Sequence, residues 1–169
     1  MNTNNLEIER KFLIKNDDWK KSIIAKYDIE QHYLSIDPNL TVRIRKATAD
    51  DHSVFYYLTI KSKTNNSRIR NEVELMIGAS TFDDLRHLVI GVPVSKTRHI
   101  VANQARGCEE DSWEVDVFHG QHEGLVLAEI ELIDANYDLT IPDWVGEEVT
   151  NDARYTNSNL ADNTKIVIF

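Results

Sequence analysis

The sequence predicts an α+β fold built on a closed antiparallel β-barrel of eight strands, a tunnel with a charged lumen and helices packed on its outside. Three observations carry that expectation. Strand-like alternation recurs along most of the chain, and the candidate helices are short. In seven of the extended runs, charged side chains take positions i and i+2 with mostly apolar residues between them.

The first run, Leu6–Leu13, puts Leu6, Ile8 and Phe12 on one face and Glu7, Glu9 and Lys11 on the other. The period then changes. Trp19, Ile23, Ile24 and Tyr27 recur at helical spacing behind Asn16 or Asp17 as N-cap, which predicts a short amphipathic helix over Asn16–Tyr27. Extended runs return at Gln31–Ile36, Thr41–Lys46, Val54–Lys61 and Arg68–Met76, separated by the turn-forming Asp37-Pro38-Asn39, Ala49–Ser53 and Thr64–Ser67. These read as antiparallel hairpins. Ser80 followed by Asp83 predicts a second helix through about Leu88, ended by Gly91 and Pro93. Strands are expected again at Val94–Ala102, Ser112–Phe118 and Leu125–Ile133, with Gly107–Asp111 and Gly120–Gly124 as turns. The tail from Asp143 to Ala161 reads as loop and short helix. Without an internal repeat or a linker-like tract, residues 1–169 are read as one domain.

The bulk composition narrows the partners. A net charge of -9 argues against an outer surface that wraps nucleic acid or docks on anionic lipid, because both need a positive field. A polyanion would need a local basic site. Cys108 is the one cysteine and has no partner for an internal disulfide; the N-terminus is polar, and no apolar run reaches membrane-spanning length. These features predict a cytoplasmic protein with no membrane and no nucleic-acid partner.

In a half-buried sheet the polar face is ordinarily the solvent face. A plain surface accepts Ser, Thr, Asn and Gln as readily as charge, however, and here the charge repeats: Glu7/Glu9/Lys11, Arg43/Arg45, Thr59/Lys61, Arg70/Glu72/Glu74, Lys96/Arg98, Glu114/Asp116 and Glu129/Glu131. If these faces converge, eight acids meet seven bases in one nearly balanced lumen, with the apolar faces packed outward. A ligand that uses both signs is polyphosphate with a divalent cation, since Arg and Lys clamp phosphate oxygens and carboxylates hold a hard ion.

Glu7-Ile8-Glu9-Arg10-Lys11-Phe12-Leu13 resembles the N-terminal ExExK signature of the CYTH, or triphosphate tunnel metalloenzyme, superfamily. The ordered series after it extends the resemblance over nearly the whole chain: Arg43-Ile44-Arg45, Thr59-Ile60-Lys61, Arg70-Asn71-Glu72-Val73-Glu74, Lys96-Thr97-Arg98, Trp113 to Phe118, Glu129-Ile130-Glu131 and Gly146 to Tyr155. The opening and the tail look most like the small bacterial inorganic triphosphatases. That resemblance implies hydrolysis of inorganic triphosphate to phosphate and pyrophosphate with Mg²⁺ or Mn²⁺. Nucleoside- or thiamine-triphosphatase activity, class IV adenylyl cyclase activity and non-catalytic polyphosphate or organophosphate binding are the alternatives. It also implies Glu7, Glu9 and Glu131 as metal ligands, with Glu129 and Glu74 behind them, and Lys11, Arg43, Arg45, Lys61, Arg70 and Arg98 as the phosphate clamp. Tyr33 and Lys96 match a tyrosine–lysine pair that orients and deprotonates the attacking water, although His32 stands where glycine is expected. A homodimer is a further expectation. His119, His122 and Cys108 are assigned no role, and the three tryptophans are read as packing residues, with Trp144 a candidate lid.

Overall fold

The computed structural model describes residues 6–37, 39–64, 69–103, 112–132 and 137–162. Arg68, Cys108, Ile133 and the expected turn at Gly107–Asp111 lie outside them. The strands are β1 (Leu6–Ile14), β2 (Ile23–Asp37), β3 (Leu40–Ala49), β4 (Val54–Lys63), β5 (Ile69–Met76), β6 (Ile90–Val101), β7 (Trp113–Phe118), β8 (Val126–Glu131) and β9 (Val145–Glu148). Hydrogen-bonded order is β5-β4-β3-β2-β6-β7-β8-β1, and β1 returns to β5 through Leu6–Ile8, so eight antiparallel strands close into a barrel. β9 adds to the other half of β1, at Phe12 and Ile14.

Alternation decides which side chains go where. The outward residues of β1, β6, β7 and β8, among them Phe12, Val101, Trp113, Val115, Ala128 and Ile130, form a buried apolar layer outside the barrel, covered by Trp19, Leu139 and Val145. The inward rows carry the charges and then change character at one end. Two residues beyond Lys96, Asp116 and Glu129, the same face presents Val94, Phe118 and Leu127. These pack with Leu160 and Ala161 into a second apolar cluster. That end of the lumen is filled by side chains and by the C-terminal helix α2 (Asn157–Leu160).

Three expectations about elements are corrected. Only Asp17–Ser22 is helical in the first expected helix, as a 3₁₀ segment that Asn16 caps by accepting from the Asp18 N–H at 2.9 Å. From Ile23 the chain is already strand. Its β-branched residues sit better on a sheet, and β2 gains rungs to both β3 and β6 that a helix would forgo. The second helix, α1, spans Ala79–Arg86 with Gly78 at its cap. Its Phe82 lies 5.0 Å from the Tyr56 ring and 6.2 Å from the His32 ring, outside the barrel. Gly91 and Pro93 do not stop it. They lie inside β6, where the ladder to β2 is interrupted between Gln31↔Val94 and Tyr33↔Ile90, a place that tolerates a residue without N–H. The third correction is β9, which falls in the tail read as loop.

Candidate active site

The barrel encloses a cavity of about 580 Å³. Strand alternation delivers side chains to it from several directions: Glu7, Glu9 and Lys11 from β1, Tyr33 from β2, Arg43 from β3, Lys61 from β4, Arg70 from β5, Arg98 from β6, and Glu129 and Glu131 from β8. Ten of the thirteen sequence-predicted site residues thus share one space. Lys96, Arg45 and Glu74 do not line it. Lys96 is 2% exposed and bonded to Asp116, while Arg45 donates to Glu74 at 2.8 Å and lies over the Tyr57 ring.

The cations are held by a paired network. Lys61 binds Glu7 at 2.6 Å and Glu72 at 2.9 Å, and Lys11 binds Glu129 at 2.7 Å. Arg98 reaches Asp116 with two nitrogens, Glu129 at 3.0 Å and also Glu114. Burial alone would lower Lys11, but Glu129 and Glu9 overcome it and hold the ammonium above its ordinary value. Burial likewise would raise Glu129 and Asp116. Lys11 chiefly holds the first well below the usual carboxylate range, and Arg98 chiefly lowers the second. Lys96 differs. Burial and then Arg98 push it down to about 8, against the opposing pull of Asp116, which it shares with the guanidinium, and of Glu129. Arg43 retains spare donor capacity, since its buried Nε has no hydrogen-bond partner.

At the other carboxylates such compensation falls short of burial and neighbouring acids, even where Lys61 meets Glu7 and Arg98 meets Glu114. Register sets Glu9 directly opposite Glu131 on neighbouring strands, an arrangement of like charges that destabilises a sheet unless something positive joins them. Burial, then Glu7, Glu114 and Glu72, raises the Glu131 carboxyl; burial also raises Glu7 and Glu114. Among the described residues no three acids or histidines are gathered closely enough to grip an ion. The donor chemistry nevertheless fits a hard divalent cation, being all oxygen, crowded and short of positive charge.

Sequence reading missed several contributors. The tail brings Thr156, Asn157 and Ser158 to the cavity, with Asn157 Oδ1 buried and unpartnered. Gln31, 1% exposed, contacts both Tyr33 and Arg43. Its uncharged side chain gave no signal in a search for charges, although an amide two residues before Tyr33 shares its face. Tyr33 and Lys96 are not joined, each being held by other groups. Trp144 packs edge-on to Trp113 at 5.4 Å, in the outer layer, and is no lid.

A closed antiparallel barrel that gathers bases and acids around one internal cavity defines a polyanion-holding tunnel protein. The chain belongs to the CYTH domain family, whose sequence profile matches residues 5–165. It is 39% identical over 158 residues to an inorganic triphosphatase of Acetivibrio thermocellus, covering 93% of this chain and 94% of that one. An inorganic triphosphatase of Nitrosomonas europaea is 33% identical over 158 residues, covering 92% and 96%. A crystal structure of an inorganic triphosphatase aligns with a TM-score of 0.59 at 31% identity, covering 92% of this chain and 93% of its own. No described helix is long and apolar enough to cross a membrane.

Proposed function

We propose that this chain is an inorganic triphosphatase that cleaves triphosphate into phosphate and pyrophosphate. One observation carries the reading: bases from five strands, Lys11, Arg43, Lys61, Arg70 and Arg98, converge with Glu7, Glu9 and Glu131 on a single internal cavity. Full-length similarity to inorganic triphosphatases supports it. The bases neutralise the phosphate oxygens and hold the chain of phosphates in line for attack by water, so catalysis is mainly positioning and electrostatics. Glu7, Glu9 and Glu131 would hold Mg²⁺ or Mn²⁺, which when bound supplies further neutralisation of phosphate charge. Glu129 and Glu74 are weaker candidates, the first because Lys11, Lys96 and Arg98 together hold its charge, the second because it stands outside the cavity lining and pairs with Arg45. Arg45, two residues along β3 from Arg43 and outside the cavity lining, would be an outlying member of the clamp. Lys96, lowered toward neutrality, takes the proton from water.

The reading includes a cytoplasmic location and a homodimer, for which the exposed outward side chains of Val73 and Leu75 on β5 offer apolar surface; light scattering tests the dimer. The activity is tested by phosphate release from triphosphate, longer polyphosphate, ATP, GTP and thiamine triphosphate, each with Mg²⁺ or Mn²⁺. Triphosphate should give the highest kcat/KM. Faster turnover of a nucleotide or of thiamine triphosphate would reassign the substrate, and binding without release would make the protein a polyphosphate binder.

A further inference from the structure

Gln31 sits on the lumen side of β2, and its amide joins two cavity residues. Arg43 Nη1 donates to Gln31 Oε1 at 3.2 Å, and Gln31 Nε2 donates to Tyr33 Oη at 3.0 Å. A guanidinium can only donate, so Oε1 has to face Arg43; turning the amide over would set two donors against each other. The NH₂ group must then face the phenol, whose oxygen accepts. A phenol has one hydrogen, and with Gln31 offering no acceptor to it, that hydrogen points elsewhere. Tyr33 borders the cavity, and Arg43, Lys61 and Lys11 act on its hydroxyl, so a group that accepts from it there lies beside these cations. Lys96, which the family resemblance pairs with Tyr33, is bonded to Asp116 instead.

We propose that Gln31 is a positioning residue that fixes the Tyr33 hydroxyl as a hydrogen-bond donor into the cavity, where it serves a phosphate oxygen of bound triphosphate. The inference rests on the triphosphatase reading and deepens it. Tyr33 acts on the substrate rather than on Lys96, and one buried amide holds the phenol and the Arg43 clamp in a common geometry. The amide is needed because a neutral group that accepts on one side and donates on the other is the one that suits both neighbours.

Gln31→Glu tests this directly. The carboxylate keeps the shape and still accepts from Arg43 but has no N–H, so the Tyr33 hydroxyl turns to donate to it and leaves the cavity. In steady-state kinetics with triphosphate and Mn²⁺, Tyr33→Phe and Gln31→Glu should each lower kcat about ten-fold, the effect of one lost buried hydrogen bond. The double variant should be no slower than Tyr33→Phe, because the hydroxyl that Gln31 serves is already gone. Losses in kcat that multiply, or a Gln31→Glu variant with unchanged kcat, overturn the proposal. If Gln31→Glu melts below the assay temperature, Gln31→Met replaces it in the same cycle: alone it lowers kcat, and in the Tyr33→Phe background it only raises KM, through Arg43. If the wild-type chain turns over no triphosphate, the triphosphatase reading fails instead. The same cycle is then read as triphosphate affinity by calorimetry, where non-additive losses support the Gln31–Tyr33 coupling and additive ones overturn it.

Discussion

Asp116 is fully enclosed and divides its charge between Arg98 and Lys96. Arg98 is the larger influence on it, so Lys96 is left with burial and a neighbouring cation against a partly spent anion, and its proton is held loosely, at about 8. The neutral amine is the form that can accept a proton from water. Turnover should therefore climb as pH rises through about 8 and level off above it. The stability sign agrees: a lysine whose folded value lies below its unfolded one penalises the fold while charged, and that penalty is relieved between about 8 and the ordinary lysine range. Lys96→Ala should lower kcat far more than it raises KM and abolish the alkaline rise, as measured by steady-state rates from pH 7 to about 10. A loss confined to KM would make Lys96 part of the clamp. Glu9, set against Glu131, gives a second forecast at this scale. Glu9→Gln should remove metal-dependent turnover while the melting curve persists, because an amide relieves the like-charge pair yet weakens a hard-cation site. Activity retained at ordinary metal concentrations would take Glu9 out of the ion's coordination.

Among the elements, β6 carries an unusual constraint. Gly91 has φ +70°, and a Cβ there would lie 2.1 Å from the carbonyl oxygen of Ala161. That oxygen accepts from Val92 N at 2.8 Å, which ties the end of α2 to the barrel. Gly91→Ala should thus cost about 2 kcal/mol or more, from the left-handed backbone and the clash together, read by urea denaturation. Activity should fall as well, since the same tail supplies Thr156–Ser158 to the cavity and the Tyr155 carbonyl 3.5 Å from Lys11 Nζ. Unchanged stability would mean that the tail is free to move away. The sequence reading took Gly91 and Pro93 as helix punctuation, which is their commonest use. Their actual role depends on a strand irregularity and a tail contact some seventy residues away in the chain, and no local pattern encodes either. The first half of β2, ahead of the extended run expected at Gln31–Ile36, was hidden for a related reason. Its inward row, Tyr27, Ile29, Gln31 and Tyr33, lacks the charges that marked the other strands, and its first turn of residues mimics helical spacing. β9 is four residues long, too short to show a period.

For the molecule as a whole, the charged faces were legible because seven strands repeat one alternation, and alternation survives any detail of packing. Which charges neutralise one another was not legible, since that depends on register across strands distant in sequence: Lys11 with Glu129, Lys61 with Glu7 and Glu72. The outcome is a lumen divided into a paired region around Arg98 and an acid-rich region around Glu131. The two respond oppositely to pH. Glu129 and Asp116, held low, contribute stability above the ordinary carboxylate range that is lost as pH falls through their lowered values. Glu131, Glu7 and Glu114, held high, contribute stability below that range that is lost as pH rises through their raised values. A divalent cation among the second set should cancel the second loss and leave the first untouched. The rise in melting temperature produced by Mn²⁺ without triphosphate should therefore be smallest below the ordinary carboxylate range, where protons occupy these carboxyls, and grow as pH rises through their raised values. Thermal denaturation with and without the ion across that range measures it. Glu131→Gln should flatten the curve, because it removes a carboxyl that burial and three neighbouring acids raise; a Mn²⁺ shift of constant size at every pH, or one that survives this substitution in full, would place the ion outside the lumen.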